Sequence, residues 1–154
     1  MPRIVREADV RWEGNVARGE GSISAATTGA FTGLGFSLPT RIGVVQGKTS
    51  PEELLAAAHG GCFAMSLAGE LTKLGTPPEA LDARCTITMD EVEGRGHEIV
   101  HSAIAVSVRA PGADAAAVAA AARAADEGCP FSTLLRAAGA GVEVTTTFEA
   151  EGGH

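Results

Sequence analysis

The sequence predicts an α+β fold, and three observations carry that prediction. One segment, residues 51 to 74, reads as a helix that is apolar around nearly its whole circumference. Strand-like stretches come in runs on either side of it instead of alternating strictly with helices. An Ala-rich helix and a short further helix then precede a closing strand. No internal repeat, low-complexity tract or linker marks a boundary, so the 154 residues are read as a single domain over 1–154, with a core of about 8–149.

The elements follow in order. Residues 7 to 46 are rich in Gly, Thr and Ser, with short alternations around Val10, Trp12 and Ile23, and read as meandering strands with Gly-rich turns. Ser50 is a good N-cap, Pro51 suits the first helical position, and Glu53 completes a Ser-x-x-Glu capping box. Gly75 and the following Thr-Pro-Pro stop that helix. Its polar residues, Glu52, His59, Ser66, Glu70 and Lys73, form one narrow strip, with Cys62 at its border. A helix so apolar, about 36 Å long, is hard for a 15.5 kDa chain to bury alone, which points to a dimer. ARCTITMDEV and HEIVHSAIAVSVRA read as two strands joined by the turn EGRG, with Cys85, Ile87 and Met89 facing inward. Asp114 caps an Ala-rich helix that Gly128 ends, Cys129-Pro130 restarts a short helix through Leu135, and VEVTTTFEAE closes as a strand before a fraying Gly-Gly-His tail.

Composition excludes several functions. The net charge of −7 and the absence of a basic stripe speak against nucleic acid or an anionic membrane surface as partner. The N-terminus is charged where a signal peptide needs an apolar run, and nowhere do about 20 apolar residues follow one another. Three cysteines are not a secreted disulfide framework, so the cytoplasm is the expected compartment. No GxGxxG, P-loop or Gly-x-Ser-x-Gly elbow is present.

The thiols are the chemistry candidates. Cys129 sits at a helix start, where the dipole and free N–H groups favour a thiolate; the bland reading is a small apolar residue at a helix join. Cys62, mid-helix in apolar surroundings, should have a raised pKa and needs a cation to become a nucleophile; core filling is its bland reading. Gly60 and Gly61 each cost about 1 kcal/mol relative to Ala in a helix, which implies close approach of backbone, substrate or a partner helix. His59, Cys62 and Cys129 with His97 or His101 form a rival metal set, but without Cys-x-x-Cys or His-Glu-x-x-His spacing. Cys85 reads as structural.

The segments SPEELLAAAHGGCFAMSLA and EGCPFS, with TRIGVVQGKTSPEEL leading into the first, resemble the OsmC/Ohr family of thiol-dependent hydroperoxide reductases, in its OsmC branch. The likeness runs from about Val10 to Glu149. It implies an OsmC-like fold of antiparallel sheets packed around long central helices in an intertwined homodimer. It further implies that Cys62 attacks peroxide and Cys129 resolves the product. Arg41 would stabilise the Cys62 thiolate and the leaving oxyanion, and Glu52 would orient Arg41. Glu52 and Cys62 are ten residues apart, about 15 Å along one helix. A site across a two-fold axis would bring Arg41 and Glu52 of one chain to Cys62 of the other.

The implied activity is reduction of organic, and by extension inorganic, hydroperoxides in oxidative or osmotic stress defence. It would use no flavin, haem or metal, and an external dithiol (lipoyl protein, thioredoxin-like protein or small thiol) would reset it. An apolar lining of Phe36, Leu55, Met65 and Phe131 would favour alkyl or fatty-acid hydroperoxides. Gly60-Gly61 departs from the family's Ala-type residues, and Ser50 from its usual Asn. The alternative is a binding or stress-accessory protein of the same fold with little turnover, since fold alone does not fix activity.

Overall fold

The structure is a computed structural model that describes residues 2–149; the expected frayed tail and the last residues of the expected closing strand lie outside them. Packing divides the chain between Leu54 and Leu55 into two compact units.

The first unit is the meander that the Gly-rich turns predict. Strands β1 (Ala8–Glu13), β2 (Glu20–Ala25) and β3 (Leu34–Phe36) pair antiparallel in that order. Their register aligns Trp12, Gly21 and Phe36, so the two rings meet across a glycine with centroids 5.6 Å apart. A Cβ at Gly21 would lie 2.4 Å from the Phe36 ring and 2.8 Å from Trp12, which is why no larger residue fits. The unexpected element is α1 (Leu38–Ile42), opened by a reciprocal capping box between Ser37 and Thr40 and by Pro39 in its first turn. Thr49 then donates its N–H to Gly35 O at 2.8 Å and leads into the long helix α2 (Pro51–Lys73). Ser50 caps it as expected, accepting from Glu53 N at 3.1 Å. The reciprocal half of that box is replaced: the Glu53 carboxylate accepts from the Thr49 hydroxyl at 2.8 Å.

The second unit holds most of α2 and a mixed sheet. Gly75, at φ +78°, ends the helix in the left-handed conformation, and Thr76 N returns to Leu71 O at 3.0 Å. Strands β4 (Ala80–Val92) and β5 (Gly96–Arg109) form the expected hairpin; helices α3 (Ala115–Gly128) and α4 (Pro130–Ala137) and strand β6 (Gly141–Phe148) follow. The sheet order is β4-β5-β6, and β5–β6 is parallel, a departure from wholly antiparallel sheets. The reason is topological, because α3 and α4 carry the chain back to the starting end of β5 before β6 begins. The core joins Phe63, Leu67 and Leu71 of α2, Ile104, Val106 and Val108 of β5, and Val118, Ala121, Ala122 and Ala125 of α3, with Cys129 among them.

His59, Phe63, Leu67 and Leu71, four residues apart in turn, are the buried stripe of α2, so one member of its polar strip, His59, faces inward. The exposed one is Ala57, Gly61, Met65 and Gly69. The hydrophobic pattern, nearly uniform around the helix, could not distinguish the two. By length and composition alone α2 is also apolar enough to cross a bilayer, because its few polar residues interrupt the apolar run without making the segment polar. Its inner stripe is packed in the core described above, as a core helix requires.

Candidate active site

Two thiols far apart in sequence meet in the second unit. Cys62 comes from the middle of α2 and is half-buried; Cys129 is fully buried at the N-cap of α4, before Pro130, as the Gly-Cys-Pro order predicts. Their side chains lie close together in the core and both are free thiols. Burial pushes the Cys62 thiol above its ordinary value; the neighbouring Cys129 pushes the same way, while the Phe131 backbone and the Ser66 hydroxyl pull it down. Unaided, then, Cys62 is a protonated thiol, as its apolar surroundings predict.

Arg41 and Glu52 meet in the first unit. Helix α1 carries Arg41 in its last turn, and the first turn of α2 carries Glu52. The guanidinium grips one carboxylate oxygen side-on, with Nε and Nη2 each 2.7 Å from Glu52 Oε1. Glu52 is the more sheltered partner, 17% exposed against 45% for Arg41, and its Oε2 is buried with no hydrogen-bond partner. Beside the pair, Trp12, Val16, Phe36, Leu38 and Pro51 line a mainly apolar cleft of about 330 Å³ that Arg41 borders. Of the four residues expected to line an apolar pocket, Phe36 does so here. Met65 instead is 74% exposed and Phe131 packs on the core around Cys129.

A buried polar cluster escaped the sequence reading. His59, fully buried, shares a hydrogen bond of 2.6 Å between Nδ1 and Ser102 Oγ of β5, and one of 2.8 Å between Nε2 and Ser132 Oγ of α4. Cys85 Sγ lies 3.3 Å from the same Ser102 oxygen, so its structural reading gains a polar contact. Burial pushes the His59 pKa down; Asp126 opposes this and Arg136 adds to it. The available signal was spacing, since His59 precedes Cys62 by one turn and Ser132 follows Cys129 by one turn. The rival metal set does not assemble. Both ring nitrogens of His59 are taken by hydroxyls, His97 is exposed, and His101 lies 3.7 Å from Glu143. Among the described residues no three His, Cys, Asp or Glu side chains are grouped to hold an ion.

Gly60 and Gly61 have different reasons. A Cβ on Gly60 would approach Cys85 Cβ to 3.3 Å, so the helix lies tight against β4 there. Gly61 faces open space.

Fold and thiol pair define a class: an α+β scaffold whose long helix sets a half-buried cysteine against a second cysteine at another helix's N-cap. The profile of the family described as OsmC-like protein matches residues 45–146, and the chain belongs to that family. It is 34% identical over 134 residues to Peroxiredoxin OsmC of Escherichia coli K12, covering 87% of this chain and 92% of that protein. In fold it is similar to an organic hydroperoxide resistance protein OsmC from Legionella pneumophila, with a TM-score of 0.69 at 20% identity over 96% of this chain and all of that one (100%). It is likewise similar to the organic hydroperoxide resistance protein OhrB of Bacillus subtilis, with a TM-score of 0.67 at 22% identity over 93% and 98% of the two chains.

Proposed function

We propose that this protein is a thiol-dependent peroxidase, a single OsmC-like domain that reduces organic hydroperoxides to alcohols in cytoplasmic oxidative stress defence. The observation that carries the reading is the closeness of Cys62 to Cys129 in the core, two thiols brought together by the fold and not by sequence. The kinship with Peroxiredoxin OsmC supports it.

In the proposed cycle the Cys62 thiolate attacks the terminal oxygen of the hydroperoxide. The O–O bond breaks, the alkoxide leaves and takes a proton as alcohol, and Cys62 becomes a sulfenic acid. Cys129 sulfur then attacks the Cys62 sulfur. The S–O bond breaks, water leaves with the Cys129 proton, and a disulfide closes. An external dithiol, such as a lipoyl or thioredoxin-like protein, reopens it by exchange. Cys62 is the partly accessible thiol and Cys129 the buried one, which supports this order of roles.

Arg41, held by Glu52, is the cation that a raised Cys62 pKa calls for, and it offsets the charge on the departing oxygen. The cleft beside Arg41 supports an apolar substituent on the substrate. In this reading the pair acts on Cys62 across the two-fold axis of a homodimer. The exposed stripe of Ala57, Gly61, Met65 and Gly69, small and apolar, supports that interface.

The test is consumption of cumene hydroperoxide with a dithiol by wild type, Cys62→Ser and Cys129→Ser. Loss of turnover in Cys62→Ser, and a single unrecycled turnover in Cys129→Ser under a bulky dithiol, are expected. Equal rates in all three would favour the accessory-binding reading.

A further inference from the structure

We propose that His59 is the positioning residue of the resolving step, a bolt between the turn of α2 that carries Cys62 and the first turn of α4 that carries Cys129. The proposal rests on the two-cysteine reading above and assigns a role to a side chain which that cycle does not use.

His59, Ser102 and Ser132 are each 0% exposed. Burying such groups is unfavourable unless each is paired, and an apolar side chain would fill the same space without needing partners. Here the pairing is complete at the ring. Nδ1 lies 2.6 Å from Ser102 Oγ and Nε2 lies 2.8 Å from Ser132 Oγ. Hydroxyls donate or accept, so a neutral imidazole is satisfied in either tautomer. A ring held at both ends cannot rotate, and it fixes the spacing of the three elements it joins: α2, β5 and α4.

The placement of that bolt is specific. His59 precedes Cys62 by three residues on α2, and Ser132 follows Cys129 by three on α4. Residues three apart on a helix share a face, so the His59–Ser132 bond and the Cys62–Cys129 contact are neighbouring rungs between the same two helices. Ser102 anchors the rung to β5, within the core. A second tie, the Arg136–Asp126 ion pair, joins the later part of α4 to α3 and does not touch the thiol rung.

Only one chemical step needs this precision. Attack on peroxide uses Cys62 with the Arg41 cation and makes no use of Cys129. Closing the disulfide requires Cβ atoms about 3.5–4.5 Å apart with a fixed torsion, so a small drift of α4 delays it. While it is delayed, the sulfenic acid stays exposed to a second peroxide and passes to the irreversible sulfinic acid.

The experiment is a single turnover with cumene hydroperoxide, followed by quenched-flow intact mass, on wild type, His59→Gln and Ser132→Ala. Dimedone trapping reads sulfenic-acid formation, and mass loss reads disulfide closure. Sulfenic acid is expected to form at the wild-type rate in both variants, with disulfide closure slowed about 10- to 100-fold, the scale of a 1 Å misplacement. Species with two added oxygens should rise accordingly. A loss caused by general loosening would slow both steps together and lower the thermal midpoint in proportion. Either that pattern, or disulfide closure at the wild-type rate in folded variants, overturns the proposal. If His59→Gln does not fold, Ser132→Ala, which removes one oxygen, decides alone. Failure of the underlying reading is distinct: the wild-type chain would then gain no oxygen and form no disulfide.

Discussion

Cys62 has a thiol whose pKa is pushed up by burial and by the neighbouring Cys129, yet the proposed chemistry needs its thiolate. In the proposed mechanism that conflict is met at the scale of single residues by the Arg41–Glu52 pair. Glu52 is mostly buried and commits one oxygen to two guanidinium nitrogens, so Arg41 is held in one orientation. Removing the cation should leave the thiol protonated and the leaving oxygen unsupported. Arg41→Met is therefore expected to lower the rate of Cys62 with hydroperoxide by about 10²–10³-fold. It should also shift the pH midpoint of that rate upward, as read by stopped-flow peroxide consumption. An unchanged rate and midpoint would remove Arg41 from the mechanism.

Between elements, the His59 cluster makes a separate demand on stability. Burial holds its folded pKa below the unfolded value of about 6.5. Below that value the unfolded chain binds a proton that the folded chain does not, so this contribution to stability is present above it and lost as pH falls through the folded pKa. The charges that act on the ring, Asp126 and Arg136, work in opposite senses and leave burial in control. Urea midpoints of wild type should therefore fall more steeply than those of His59→Gln between pH 7 and pH 5. Parallel curves would contradict a neutral, buried imidazole.

Elements with strong local signals were legible in the sequence. Ser50-Pro51 and Gly75 bounded α2, expected at 51 to 74 and found at Pro51–Lys73, and the hairpin, α3 and the Cys129 cap followed from turns and caps. Helix α1 was missed because five residues are too few to show a period, although Ser37, Pro39 and Thr40 carry its capping signature. The inward side of α2 was not legible, because His59 is made tolerable inside by Ser102 and Ser132, partners that lie far along the chain. For the same reason the meeting of Cys62 with Cys129 could be read only through family likeness, since no local spacing encodes it.

For the molecule as a whole, the exposed stripe of α2 is the feature a lone chain leaves unexplained. Met65 is 74% exposed among small residues, and Gly61 has open space where a side chain would stand. Two such helices can approach closely, and a homodimer would cover both stripes with one isologous contact. Met65→Glu, which sets a charge in that contact, should shift the protein from dimer to monomer by light scattering. It should also lower peroxidase turnover together with dimer content. A wild-type chain that is monomeric, or a monomeric variant with full turnover, would contradict the dimeric site.

The central claim is that one hydroperoxide molecule converts the Cys62–Cys129 thiol pair into a disulfide. Intact mass of the reduced protein after one equivalent of cumene hydroperoxide, with peptide mapping, tests it most directly. A loss of two hydrogens and a cross-link between the peptides holding Cys62 and Cys129 are expected. A stable gain of oxygen, an unchanged mass, or a cross-link through Cys85 would contradict it.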